Sequence, residues 1–261
     1  MGDTDHGPVW PPAVHIELTA DEDPQDGTPP VRVGRFEYHV NLDPGEVAYT
    51  VQMSAAMPNG TGFQGEQVIL GGSLFTRGRL QGPDVPDDGP SDWVEMPIDA
   101  FDLLINALQQ GTGRADLPQA SGLADFTGLG TVQPGQRVTD WEQFLTDSVG
   151  ADGAVERMAG EVIAGTPLHH YRATFAHGAD AAPVTVALNR TIAAGCEAFP
   201  IGRGTLRDEA AQAPYVLEVS IGIEDGYPYR ATMVSEEDGR RMRVTVASTP
   251  MPEPFEITRP I

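Results

Sequence analysis

Between Tyr215 and Ile223 an apolar residue occupies every second position: Tyr215, Leu217, Val219, Ile221 and Ile223. A period of two lines one face of an extended strand, whereas the apolar stripe of a helix recurs every three or four residues. Glu224-Asp-Gly226 then supplies a turn, Tyr229 to Ser235 returns, Glu237-Asp-Gly239 turns again, and Met242, Val244 and Val246 alternate once more. Such a run specifies three strands of antiparallel meander. The end piece, Phe255 to Ile261, is predicted as an edge strand closed by Pro260, since proline cannot donate to a ladder.

The same period opens the other half of the chain. Phe36, Tyr38 and Val40 alternate with Arg35, Glu37 and His39, and Asn41-Leu-Asp-Pro-Gly45 turns. Val47, Tyr49, Val51 and Met53 then alternate with Ala48, Thr50, Gln52 and Ser54, which makes a hairpin. Glu66 to Leu70 and Ser73 to Arg77 form a second one, joined by Gly71-Gly72, a pair suited to a primed two-residue turn. A Gly-, Pro- and Asp-rich loop leads from Gly78 to Trp93-Val-Glu-Met-Pro97.

Helical spacing is confined to the middle. Ile98, Phe101, Leu104, Ile105 and Leu108 predict a helix over 98–110, stopped by Gly111. A second is predicted from an N-cap at Thr139, with Glu142 three residues on, through Trp141, Phe144 and Leu145 to Gly150. Strands follow over 154–159 and 161–164, then over 168–176 after a Gly165-Thr-Pro167 turn; 183–194 reads as part strand, part short helix. Strands, then helices, then strands is the order of an α+β fold. The expectation is a strongly curved antiparallel sheet, a half-barrel of about ten strands, wrapping two or three helices.

Residues 1–31 are acidic, rich in proline and without sustained periodicity, and read as a disordered tether before a folded domain over 32–261. The whole chain carries 38 acidic residues against 16 basic ones, all arginine, for a formal charge of -22. That charge repels phosphate backbones, so nucleic acid is excluded as a partner. No run approaches the ~20 apolar residues of a membrane span, and no basic-then-apolar signal peptide is present. Cys196 is the sole cysteine, so no disulfide forms within the chain.

Chemistry-bearing constellations are few. His169 and His170 are adjacent, but neighbours on a strand point to opposite faces, so one metal would not take both. No Gly-x-Ser-x-Gly elbow occurs, and Gly71-Gly-Ser73 has a hairpin as its sufficient explanation. The acids gather in turns such as Pro83 to Asp88 and Glu236 to Asp238, as a solvated surface does. The reading is therefore of a non-enzyme with no catalytic residue, no metal site and no cofactor.

Val155-Glu-Arg-Met-Ala-Gly160-Glu-Val-Ile-Ala-Gly165-Thr-Pro-Leu-His-His-Tyr171-Arg, the later Asp225-Gly-Tyr-Pro-Tyr-Arg230, and the terminal Phe255-Glu-Ile-Thr-Arg-Pro260 form a recognisable set. With Leu70-Gly-Gly-Ser-Leu-Phe-Thr-Arg77 and the Trp93 to Pro97 motif, this set resembles the LolA-like bacterial lipoproteins, in particular their LppX/LprG-type branch, from about Gly34 to the end. The resemblance implies a half-barrel holding helices over an apolar cavity, in a secreted protein at the cell surface or in the periplasm. It also implies an N-terminal lipid anchor lying outside the sequence given, with membrane tethering through it.

On that reading Phe36, Tyr38, Val47, Tyr49, Val51, Met53, Val219 and Ile221 face Phe101, Leu104, Leu108, Phe144 and Leu145. These thirteen residues either pack solidly or line a cavity, since both use the same residue types. The function expected is binding or carriage of a lipid or other apolar ligand, the partner being a lipid or lipoprotein acyl chain and the protein a monomer. A cell-envelope sensor or assembly module, recognising a protein without carrying a ligand, is the alternative.

Overall fold

The computed structural model describes residues 11–23, 29–41, 48–56, 61–82, 85, 89–97, 138, 140–175, 215–237 and 240–260. They form twelve strands and one helix. In chain order the strands are β1 (Ala13–Asp23), β2 (Val31–Asn41), β3 (Ala48–Ala56), β4 (Gly62–Leu70), β5 (Ser73–Gln81) and β6 (Val94–Pro97). The helix α1 (Trp141–Ser148) follows, then β7 (Ala154–Arg157), β8 (Glu161–Ile163), β9 (Thr166–Thr174), β10 (Tyr215–Gly222), β11 (Pro228–Glu237) and β12 (Arg240–Met251).

All twelve belong to one antiparallel sheet in the order β6-β5-β4-β3-β2-β1-β12-β11-β10-β9-β7, with β8 paired to β9. From β1 at the centre the strands walk outward to β6, and after α1 they resume at the opposite edge and walk back. Its first and last strands therefore meet, in register from Ala13 opposite Met251 to Asp23 opposite Arg241. The path is open, its end strands β6 and β7 lying apart in the order.

This position of β1 corrects the expected 1–31 tether. Val14, Ile16 and Leu18 are buried to 2% exposure or less, at the middle of the sheet. Their alternation with His15, Glu17 and Thr19 is a strand signal, but Pro11, Pro12 and the acids from Asp21 onward surround it with the composition of a linker. Three fully buried aliphatics contribute about 1.5–3 kcal/mol each, enough to override that composition.

The register carries one apolar face through the sheet. Leu18 stands between Phe36 and Val246, and Ile16 between Tyr38 and Ser248. Val246 in turn opposes Ala231, which opposes Val219, which opposes Tyr171. Into this face α1 inserts Trp141 and Leu145. The Trp141 indole donates to the Gly226 carbonyl at 3.1 Å, fixing the helix to the β10–β11 turn. Asp140 caps α1, accepting from the Gln143 amide at 3.0 Å; the cap thus falls one residue after the predicted Thr139.

Two turns follow from backbone chemistry. Gly71 and Gly72 have φ of +58° and +77°, as a primed hairpin turn requires. The β8–β9 hairpin turns at Ala164 and Gly165, with φ of +49° and +85°, so Thr166 and Pro167 belong to the strand and not to the predicted turn.

The predicted C-terminal edge strand is also corrected. After Met251 the chain leaves the sheet and crosses the polar face of β2 toward β5 and β6. Asn41 holds it from both sides, its Nδ2 donating to the Phe255 carbonyl at 2.9 Å and its Oδ1 accepting from the Phe255 amide at 2.7 Å. Farther on, Arg259 pairs with Glu95 and lies over the Phe75 ring. The prolines that mark an edge strand serve equally well in such a strap. The helix predicted over 98–110, the 183–194 segment and Cys196 lie outside the described residues.

Candidate ligand-binding face

The apolar face is not uniformly covered. Val219 and Ile221 on β10 and Leu145 on α1 are buried, at 1%, 3% and 0% exposure. Phe36, Tyr38 and Phe144 are only partly buried and pack against that core. In the backbone register Tyr49, Val51 and Met53 stand opposite Val40, Tyr38 and Phe36. Val47, Phe101, Leu104 and Leu108 lie outside the described residues.

The same face extends farther than the sequence reading took it. Phe63 on β4 opposes Leu80 on β5, and Thr76 opposes Val94 on β6. Leu80 is 59% exposed and Val94 51%. Between them Gly65 and Gly78 pair, and a Cβ on either would come within 2.7 Å of the Phe63 ring. Removing two side chains here leaves a shallow floor on which an aromatic ring lies flat along the sheet. Period-two alternation was the available signal, but Gly65, Gln67, Thr76 and Gly78 interrupt it.

On the opposite face polar ladders hold the strands together. Arg77 reaches Glu66 at 2.7 Å, Arg79 reaches Gln64 at 2.8 Å, and Arg172 reaches Glu218 at 2.6 Å. Glu161 accepts from the Ser220 hydroxyl and from Arg230. Burial raises the Glu161 carboxyl, yet the Ser220 hydrogen bond and the Arg230 charge outweigh it and hold the group below its ordinary range. Ser220 is 1% exposed and committed to that carboxylate, which leaves its hydroxyl no access to a substrate.

His169 and His170 separate as strand alternation requires. The His169 ring accompanies Tyr171 and meets Arg157 at 2.8 Å, while His170 turns to the other face, 4.0 Å from Glu218. A different trio converges instead. His15 on β1 and His39 on β2 are direct cross-strand partners with ring centroids 4.9 Å apart, and Glu37 lies beside both. Burial and the neighbouring His15 lower the His39 pKa, with Glu37 opposing them. The trio escaped the sequence reading because His15 lay in the presumed tether, and only the β1–β2 register brings it to His39.

No protein-family model matches the chain, and no curated protein matches it either. Among solved structures, the fold resembles LprF from Mycobacterium bovis, at 15% identity over 96% of this chain and 90% of that one, with a TM-score of 0.45. It also resembles the lipoprotein LppX of Mycobacterium tuberculosis, at 11% identity over 95% of this chain and 90% of that one, with a TM-score of 0.40.

Proposed function

We propose that the chain is the ligand-holding domain of a cell-envelope lipoprotein, taking up a lipid acyl chain or similar apolar ligand on the apolar face of its sheet. One observation carries the reading. Beside a fully buried core, the same face continues through Phe36, Tyr38, Phe63, Leu80 and Val94, which remain half-buried or exposed. Exposed apolar side chains that continue a core face, rather than standing singly, offer a place for an acyl chain, which gains about 0.8 kcal/mol for each CH₂ it buries there. The likeness of the sequence motifs to LolA-like lipoproteins agrees with it, and on that likeness the sheet curves around its ligand and the protein works outside the cytoplasm as a monomer.

Phe36, Tyr38, Val47, Tyr49, Val51, Met53, Phe101, Leu104, Leu108, Phe144, Leu145, Val219 and Ile221 remain the proposed lining, with Phe63, Leu80 and Val94 added at its open end. Affinity comes from burial alone, with no bond made or broken. Delipidated protein incubated with radiolabelled fatty acid and phospholipid should retain one ligand per chain, and Phe36→Arg should lower retention at least about tenfold by placing a charge on the face. If the wild-type protein retains neither lipid, carriage is refuted. The exposed edge residues Leu80 and Val94 would then favour a protein-recognising envelope module.

A further inference from the structure

We propose that His15, Glu37 and His39 form a site for one divalent transition-metal ion, with zinc(II) as the ion this donor set suits best. The site lies on the polar face of β1 and β2, opposite the proposed ligand face, so the two readings stand or fall separately.

The ligating atoms of the three side chains lie within 4.8 Å of one another. Four-coordinate zinc with bonds of about 2.0–2.1 Å sets neighbouring ligand atoms roughly 3.3 Å apart. His15 Nε2 is already 3.3 Å from Glu37 Oε1, and His39 Nε2 is 3.9 Å from the same oxygen. Side-chain rotation alone closes the difference, because the strands hold His15 and His39 directly opposite each other, with Glu37 two residues from His39 on the same side.

Each ligand is also oriented from behind. Thr50 Oγ1 meets His39 Nδ1 at 3.4 Å, which assigns Nε2 to the centre of the trio. Arg35 donates to Glu37 Oε2 at 3.4 Å and leaves Oε1 toward the imidazoles. The Arg35 charge is itself matched by Glu17 at 3.0 Å, so Glu17, Glu37 and Arg35 together leave one negative charge for a cation. Phe255, pinned by Asn41, lies 4.5 Å from the His39 ring and screens one side of the site.

An ordinary ion pair accounts for this arrangement less well. His15 Nε2 is buried and makes no hydrogen bond, although Glu37 Oε1 lies 3.3 Å away. A cation between the three gives that nitrogen a partner, and three protein ligands leave the fourth position to water.

The test is a titration of untagged, chelator-stripped full-length protein with cobalt(II), followed by zinc(II) in competition. The expected result is one cobalt per chain, with the visible bands of a four-coordinate ion that zinc abolishes. His15→Ala and His39→Ala should weaken uptake by at least about 100-fold, and the near-isosteric Glu37→Gln by at least about tenfold, each with the circular dichroism of the wild type. The double variant His169→Ala/His170→Ala should bind as the wild type does. No stoichiometric uptake by the wild-type protein overturns the proposal, as does uptake that survives His15→Ala and His39→Ala or that disappears with His169 and His170.

Discussion

Two stretches of one apolar face behave differently. Around β1, β12, β11 and β10 the alternating residues disappear into a packed core, with Val14, Val246 and Ala231 at 0% exposure and α1 driving Trp141 and Leu145 into it. On β4 and β5 the same face is core beside the Gly71-Gly72 turn, where Ile69 and Leu74 are buried. Away from that turn it ends in Phe63, Leu80 and, on β6, Val94, with paired glycines between the turn and the Phe63 and Leu80 pair, and with side chains that remain accessible. Hydrophobic patterning specifies which way a residue points, but what lies above it decides whether it becomes core or surface. A face that is core in one place and surface in another is what the proposed ligand site rests on.

Substitutions of one kind at both ends measure this contrast. Ile16→Ala, in the packed half, should destabilise by about 2–5 kcal/mol, the cost of a large-to-small change in a close-packed site. Urea unfolding provides the check, and a change below about 0.5 kcal/mol would return residues 13–23 to the status of a tether. On the polar side of that half, Glu161→Gln should cost about 1 kcal/mol at pH 7, because the amide keeps an acceptor for Ser220 but loses the charge that faces Arg230. Since the folded Glu161 carboxyl titrates below its unfolded value, its contribution is present above about pH 4.3 and fades as pH falls through the folded value. Wild type and variant should therefore converge on acidification, and a gap that widens there would contradict the assignment. The smallest effect belongs to the open end, where Leu80→Ala should change stability by less than about 0.5 kcal/mol while lowering lipid retention. A cost like that of Ile16 would make both ends core and erase the difference.

The strands legible in the sequence were those with strict alternation and a glycine turn beside them. β10 to β12 and the Gly71-Gly72 hairpin lie within a few residues of where the pattern puts them. α1 is displaced by a single residue at its cap, because threonine and aspartate are both favoured N-cap types and the sequence places them side by side. β1 was hidden because composition averages over a window, and two prolines and a run of acids outweigh four apolar residues in that average. The strap over 252–260 was hidden for a different reason. An extended segment with prolines reads identically whether its backbone pairs with a strand or with an Asn41 side chain 214 positions away in sequence. For the lining, direction was legible and depth was not: Phe36 and Ile221 carry the same signal but differ in how far they are buried.

The meeting of β1 and β12 bears on how the sheet is completed. The two strands are separated by more than 200 positions of sequence, and until residues 240–251 are in place β1 offers an unpaired edge at the centre of the sheet. The longest-range pairing in the fold is thus the one that joins its two halves. Without β12 both meanders keep their own registers but lose the strand between them, and each presents an open edge to any strand that comes near.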